Sequence, residues 1–190
     1  MQQGRDSATQ ASGPCSPILH VVLHQPEIPN NTGTIGRTCV ALGAALHLIH
    51  PIGFETTEHA CRRAGLDYWP RLMLREHGSW EAYLEREGPR RMWLFSAKAA
   101  RTLFDADFHH GDHLVFGRES TGLPESILAP RVERLLSIPM LAGERSLNLA
   151  NAASVAIYEA VRQMIGNGEL ILGPDGRLVD PSVPRFQKPV

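Results

Sequence analysis

Cysteine is scarce in this chain, and its three cysteines (Cys15, Cys39 and Cys61) are odd in number, widely spaced and without a CxxC pair. That argues against a disulfide framework or a zinc knuckle and points to a reducing, cytoplasmic setting. Lysine is almost missing. Of nineteen basic residues only Lys98 and Lys188 are lysines; the rest are arginine. Such a bias suits a protein that reads phosphate with guanidinium forks, and a GC-rich genome produces the same bias. No apolar run approaches the roughly 18 residues needed to span a bilayer, so no membrane partner is expected. The opening MQQGRDSATQASGPCSP lacks the apolar segment of a signal peptide and reads as a flexible arm. The motifs GxGxxG, GK[ST], GxSxG and HExxH are all absent.

What remains is one domain. The chain has 190 residues, 43% of them hydrophobic and 21% charged, with a net charge of −1. This balance excludes a polybasic tail and an acidic disordered chain but permits a local basic patch. Short apolar runs read as strands at 18–23, 46–49, 91–96, 113–116 and 134–138. Between them lie helical patterns at about 34–42, 55–64 and 79–87, the last capped by Ser79. The strongest helix spans 147–165, where Leu149, Ala153, Ile157, Val161 and Ile165 recur every four residues behind a capping Ser146. Strands alternating with helices predict an α/β fold, a parallel sheet with helices on both faces. The expected organisation is an arm at 1–17, a domain at 18–166 and a loose tail at 167–190.

Ligands of such sheets bind beyond the carboxyl ends of the strands. Three loops there carry polar residues in unusual density. The first, Pro29 to Arg37 (PNNTGTIGR), offers helix-start amides and an arginine one turn on; by itself it also reads as a capped helix with a surface arginine. The second, Phe116 to Pro124 (FGRESTGLP), is a strand-to-helix turn between two glycines, and equally a structural turn. In the third, Ser137 to Asn151, Asn148 and Asn151 lie on one helical face, as capping alone would also allow. Arg62, Arg63, Arg71 and Arg75 form a candidate track for a nucleic-acid backbone or an ordinary solvated surface. His109, His110 and His113 with Asp105, Asp107 and Asp112 match no standard metal spacing and read as a solvated loop. Cys39 falls on an apolar helix face and reads as core.

Taken in order, PEIPNNTGTIGR, LVFGRESTGLP and IPMLAGERSLNLANAASVAIYEA, with RRAGLDY at 62–68, resemble the SPOUT superfamily of RNA methyltransferases. Within it the chain is most similar to the short tRNA (cytidine/uridine) wobble-position 2′-O-methyltransferases of the TrmL/YibK group, over about residues 18–166. The resemblance implies a C-terminal trefoil knot, which general topology rules disfavour, and a homodimer whose active site is assembled at the subunit interface. It implies S-adenosylmethionine as cofactor, S-adenosylhomocysteine as product, no metal, and the tRNA anticodon stem-loop as partner. By motif match the cofactor would lie among Phe95, Ser96, Gly117, Glu119, Ile138, Met140, Ser146 and Leu147. Arg37, Asn31, Glu119, Asn148 and Tyr158 match catalytic positions, Tyr158 being linked to the dimer interface or to tRNA. Arg37, Arg62, Arg63, Arg71 and Arg75 would meet RNA. The motif GRES carries Arg118 where relatives have proline, which leaves Arg118 without a matched role.

Three readings compete with the wobble methyltransferase. One is a related enzyme acting on ribosomal RNA or on another tRNA position. Another is a nucleotide-dependent oxidoreductase, against which the missing GxGxxG argues. The last is a non-catalytic RNA-binding module, against which the matched Arg37, Glu119, Asn148 and Tyr158 argue.

Overall fold

The computed structural model describes residues 16–179. Six strands form one sheet: β1 (His20–His24), β2 (Ala45–Ile49), β3 (Met73–His77), β4 (Met92–Phe95), β5 (His113–Phe116) and β6 (Leu135–Leu136). All pair in parallel, in the order β3-β2-β1-β5-β4-β6. The helices are α1 (Pro29–Leu42), α2 (Glu58–Arg63), α3 (Trp80–Glu87), α4 (Glu125–Leu128) and α5 (Leu149–Gly166). The expected α/β class with a parallel sheet is what the chain adopts.

The two cores follow from the period-two alternation of each strand. Val21, Leu23, Leu46, Leu48, Trp93, Phe95, Leu114 and Phe116 face Ile35 and Cys39 of α1 and Ala153, Ile157 and Ala160 of α5. Val22, Ile49, Leu94 and Val115 face Trp80 and Tyr83 of α3 and Ile127 of α4. Small residues along α5 let it lie close against α1 and β5. Burial pushes the Cys39 thiol up to about 12, which makes it a core residue and not a nucleophile. Cys39 and Cys61 are both buried and free.

The chain departs from the sequence reading at several places. β3 was not anticipated, because MLREH shows neither alternation nor an apolar run; it is an edge strand, and edge strands tolerate charge. The strand expected at 134–138 is only two residues long, since Arg134 belongs to a preceding 3-10 segment and Ser137 turns away to bridge Thr102. The helix expected from Thr34 begins at Pro29, with Pro at its first position, where a missing N–H does no harm. α5 is capped by Asn148 and not by Ser146: the Asn148 Oδ1 accepts from the Ala150 and Asn151 amides at 2.9 and 3.3 Å. Ser79 does cap α3, and Gly43 ends α1 in the left-handed conformation.

The tail is structured as far as it is described. Strands β7 (Ile171–Leu172) and β8 (Leu178–Val179) form an antiparallel hairpin. Leu170 is buried in the core, and Glu169 accepts from the His110 amide while its other oxygen meets His109 Nδ1 at 2.5 Å. Residues 180–190 and most of the expected N-terminal arm lie outside the described residues. Among the described residues no helix is long and apolar enough to cross a membrane.

The histidine–aspartate loop at 105–113 is therefore structural. Buried Asp112 accepts from Arg91, from the Trp93 indole and from the His109 amide. Hydrogen bonds to Asp107 and Glu169 raise His109 above its usual 6.5. A raised value in the folded chain means that this contribution is complete below the ordinary histidine range and is lost as pH climbs through the shifted value. An NMR titration should place the His109 midpoint above 6.5, and Glu169→Gln should bring it down. Ile157, fully buried in α5, gives a second expectation. Ile157→Ala should lower stability by about 2–5 kcal/mol in denaturant unfolding.

Candidate functional site

The strand order reverses direction between β1 and β5, the place where an open α/β sheet leaves a crevice at its carboxyl edge. A cavity of about 920 Å³ opens there. Its walls come from the ends of β4, β5 and β6 and from the start of α5. Phe95, Ser96, Gly117, Glu119, Ile138, Met140, Ser146 and Leu147, the eight residues matched to a cofactor, all line it. Asn31, Glu119 and Asn148 line it as well. Phe95 and Phe116 stack at 4.6 Å and give it an apolar floor.

Its shape is set by one carboxylate. Glu119 lies in the turn after β5. Its Oε2 accepts from the Glu27 amide at 2.8 Å, and its Oε1 accepts from the Ile28 amide at 3.2 Å and from Asn31 Nδ2 at 3.0 Å. Ile28, the N-cap of α1, has no capping side chain of its own, and the Glu119 carboxylate, 91 residues away, instead accepts the N-cap amide itself. Asn31 Oδ1 then accepts from Asn148 Nδ2 at 3.0 Å, and Asn148 caps α5. So a single hydrogen-bonded line, Glu119 to Asn31 to Asn148, joins all three motif loops. Each amide in it uses its oxygen and its nitrogen, which fixes the orientation of both.

A second carboxylate answers the first. Glu27 accepts from the amide and hydroxyl of Ser120 at 2.9 and 2.8 Å, and these bonds hold its carboxyl below the usual range. Arg118 donates to the Gln25 side chain. Gln25 has a φ of 54°, in the left-handed region, and its own amide is bonded to Ile49. Sequence reasoning missed Gln25 and Glu27, and left Arg118 without a role. Glu27 was within reach, as a lone carboxylate in the first motif; the left-handed Gln25 leaves no sequence signal. Gly117 is required by the same turn. A Cβ there would lie 2.1 Å from the Gly122 carbonyl carbon, where residues 118 and 122 bond back to each other.

Arg37 stands apart from this cavity. Six residues beyond Asn31, it is about one and two-thirds helical turns on, so its side chain leaves α1 in another direction. It lines a separate cleft of about 410 Å³ with Asn30, Thr34, Phe54, Thr56, Tyr68 and Trp69. Its guanidinium lies over the Tyr68 ring at 4.6 Å and 3.6 Å from Asp67. The Tyr68 hydroxyl donates to the Gly33 carbonyl at 2.5 Å and so ties RRAGLDY to the first motif. Within one chain, then, the structure does not bring Arg37 together with Glu119 and Asn148.

Tyr158 lies on the exposed side of α5, three turns from Asn148, and lines neither cavity. Of the arginine track, Arg62, Arg63 and Arg71 are exposed beside the Arg37 cleft, Arg62 paired with Glu58. Arg75 is set apart from them. Its guanidinium is bound by Glu87 of α3, on the opposite face of the sheet. The alternation of β3 sends Arg75 there, because its neighbours Leu72 and Leu74 turn to the other core.

The sequence pattern described as the SpoU rRNA Methylase family matches residues 18–158. The chain is 45% identical over 148 residues to the tRNA (cytidine(34)-2′-O)-methyltransferase of Saccharophagus degradans, covering 77% of this chain and 96% of that one. It resembles a solved structure described as "Structural insights into the 2-OH methylation of C/U34 on tRNA" with a TM-score of 0.71 and 52% identity, over 78% of this chain and 97% of that one. It also resembles the SpoU methyltransferase AviRb from Streptomyces viridochromogenes in complex with the cofactor AdoMet. There the TM-score is 0.67 and the identity 28%, over 80% of this chain and 62% of that one. On its sequence, its parallel sheet and its three converging loops, the chain belongs to the SpoU rRNA methylase family.

Proposed function

We propose that this protein transfers a methyl group from S-adenosylmethionine to the ribose 2′-hydroxyl of the wobble nucleotide, a cytidine or modified uridine, in the tRNA anticodon loop. The observation that carries this reading is the Glu119–Asn31–Asn148 line, which gathers the three motif loops around one cavity. The relatives' activity on cytidine(34) of tRNA supports the choice of substrate. The alternative, a sister enzyme acting on ribosomal RNA or another tRNA position, predicts the same cavity and a different methylated nucleotide.

The cavity fits S-adenosylmethionine. It is large enough for a nucleoside carrying an amino-acid tail, with an aromatic floor and backbone groups of the 95–97, 117–122 and 138–147 segments at its rim. We assign Phe95, Ser96, Gly117, Ile138, Met140, Ser146 and Leu147 to holding it. When bound, it supplies an electrophilic methyl carbon and leaves as S-adenosylhomocysteine. Glu119, Asn31 and Asn148 keep the cavity wall in register, so that a ribose oxygen meets its target at near-attack distance.

Arg37 serves the RNA side. A guanidinium holds its protons in proteins, so Arg37 anchors a phosphate flanking the target ribose and polarises the 2′-hydroxyl, whose proton passes late to solvent water as the oxygen–methyl bond forms and the sulfur–methyl bond breaks. Phe54, half-buried in the same cleft, offers a face against which a splayed anticodon base can stack. Arg62, Arg63 and Arg71 extend the cleft toward the RNA backbone. Because Arg37 and the cavity are separate in one chain, the site is completed by a second copy: the protein acts as a homodimer. Exposed Ile28, Leu147, Val155 and Tyr158 near the start and outer face of α5 supply the apolar surface. The trefoil knot belongs to the same reading, formed where the chain after β6 returns to place Asn148 against Asn31.

The test is label transfer from methyl-tritiated S-adenosylmethionine to tRNA lacking the modification, followed by digestion and mapping. A 2′-O-methyl nucleotide at the wobble position is expected; a methyl elsewhere moves the protein to the sister class. Arg37→Ala should lower turnover by about a hundredfold. Arg37→Lys should recover little of it, because a bidentate fork is lost. Asn31→Ala leaves Glu119 and Asn148 each short of a partner. It should lower stability by about 1–3 kcal/mol and abolish most transfer, read by thermal unfolding beside the label assay.

A further inference from the structure

Beneath α3, on the sheet face away from Arg37, four strands each contribute one histidine: His20 of β1, His47 of β2, His77 of β3 and His113 of β5. None figured in the sequence motifs as a ligand candidate except His113, and none lines the cavity or the cleft. His47 is fully buried and His77 nearly so. Into this group α3 lowers Glu87, its last residue, with a side chain only 6% exposed.

The donors converge. His47 Nδ1 and His77 Nε2 are 3.1 Å apart, and Glu87 Oε1 lies 4.0 Å from the first and 3.8 Å from the second. The second pair of distances is too long for hydrogen bonds. A point equidistant from all three atoms would stand about 2.1 Å from each, the length of zinc–imidazole and zinc–carboxylate bonds. His20, His47 and Glu87 likewise bring donor atoms within 4.8 Å of one another. We propose that His47, His77 and Glu87 form a structural binding site for one zinc-class transition metal ion, independent of the methyl-transfer site.

The surroundings are those of a metal ligand set. Arg75 holds the other Glu87 oxygen, Oε2, while Oε1 lies 3.8 Å from His77 Nε2 and the same distance from Arg86 Nε at its exposed side. His47 Nε2 meets His20 Nδ1 at 2.9 Å. With Nε2–H donated to His20, His47 presents a bare Nδ1 to the ion, the arrangement that fixes tautomer and ring orientation around metals. His20 in turn stacks on His113 at 4.1 Å, and His113 Nδ1 is bonded to the Tyr83 hydroxyl at 2.6 Å. Burial disfavours the charged form of both His47 and His20. Imidazole with carboxylate is a borderline donor set, suited to Zn²⁺ and unsuited to Mg²⁺ or Ca²⁺. The ion would pin the C-terminus of α3 to β2 and β3, and thereby the outer half of the sheet.

The test uses the untagged full chain, stripped with a chelator and dialysed. Zn²⁺ is titrated in competition with a chromophoric chelator, and Co²⁺ is used as a visible-spectrum reporter of low coordination. One equivalent of Zn²⁺ should bind and raise the melting temperature. Glu87→Gln and His77→Gln should each weaken binding at least about tenfold, while His59→Gln, on exposed α2, should not. Folding of each variant is checked by circular dichroism. A measurement that needs no variant is the long-range ¹⁵N–¹H spectrum of the wild type. There Zn²⁺ should shift His47 Nδ1 and His77 Nε2. Failure of the wild type to bind, unshifted ring nitrogens, or equal binding by folded Glu87→Gln and His77→Gln would overturn the site and leave a neutral hydrogen-bonded imidazole chain.

Discussion

The structure depends on a carboxylate that meets the start of a helix it does not belong to. α1 opens on Ile28, which has no side chain able to accept a hydrogen bond, and the amides leading into the helix are left to a group from elsewhere. Glu119 provides that group from the turn after β5 and passes the connection through Asn31 to Asn148. Because Asn148 caps α5, the longest helix takes its starting point from the same line. Helix caps are ordinarily local, offered by a neighbour two or three residues away. Here the start of α1 is met from 91 residues away, and the local cap of α5, Asn148, is held by Asn31 from 117 positions away. The cavity is consequently a by-product of how the two helices begin.

This explains which parts of the chain could be read from sequence. Where a feature is local, sequence predicts it: Ser79 caps α3, Gly43 ends α1, and His113–Phe116 is a strand because four apolar-facing residues run together. The eight residues expected around a cofactor do share one cavity, since each sits just past the carboxyl end of a strand or at the start of α5. Non-local features fail. Ser146 has the right chemistry for a cap and stands where the periodicity begins, yet Asn148 takes the role because Asn31 orients its amide. The start of α1 was set too late for the same reason, the acceptor of its N-cap amide lying 91 residues away. β3 was missed because pairing with β2, and not its own composition, makes it a strand.

Electrostatics follow the same division of the sheet into two faces. Arginines counted as one patch in sequence are separated by strand alternation. Arg62 and Arg71 face solvent near the Arg37 cleft, whereas Arg75 is drawn under α3 by Glu87. Histidines widely scattered in the chain are gathered for the opposite reason: four strands place theirs on one face at neighbouring positions, His20 beside His113 and His47 beside Arg75 in the ladder. One face of the sheet thus carries α1 and the Arg37 cleft. The other holds a buried, nearly uncharged imidazole layer.

The link between Asn31 and Asn148 spans 117 positions, and this has a bearing on synthesis. On the ribosome, the first motif leaves the exit tunnel long before the residue that completes it has been translated. Until then the start of α5 does not exist, and the amide of Asn31 has only Glu119 to meet. A product released early, at any codon before the start of α5, would carry the first two motifs but no closed wall. An unfinished copy thus lacks the geometry of the finished one, because its last contact waits on a single asparagine.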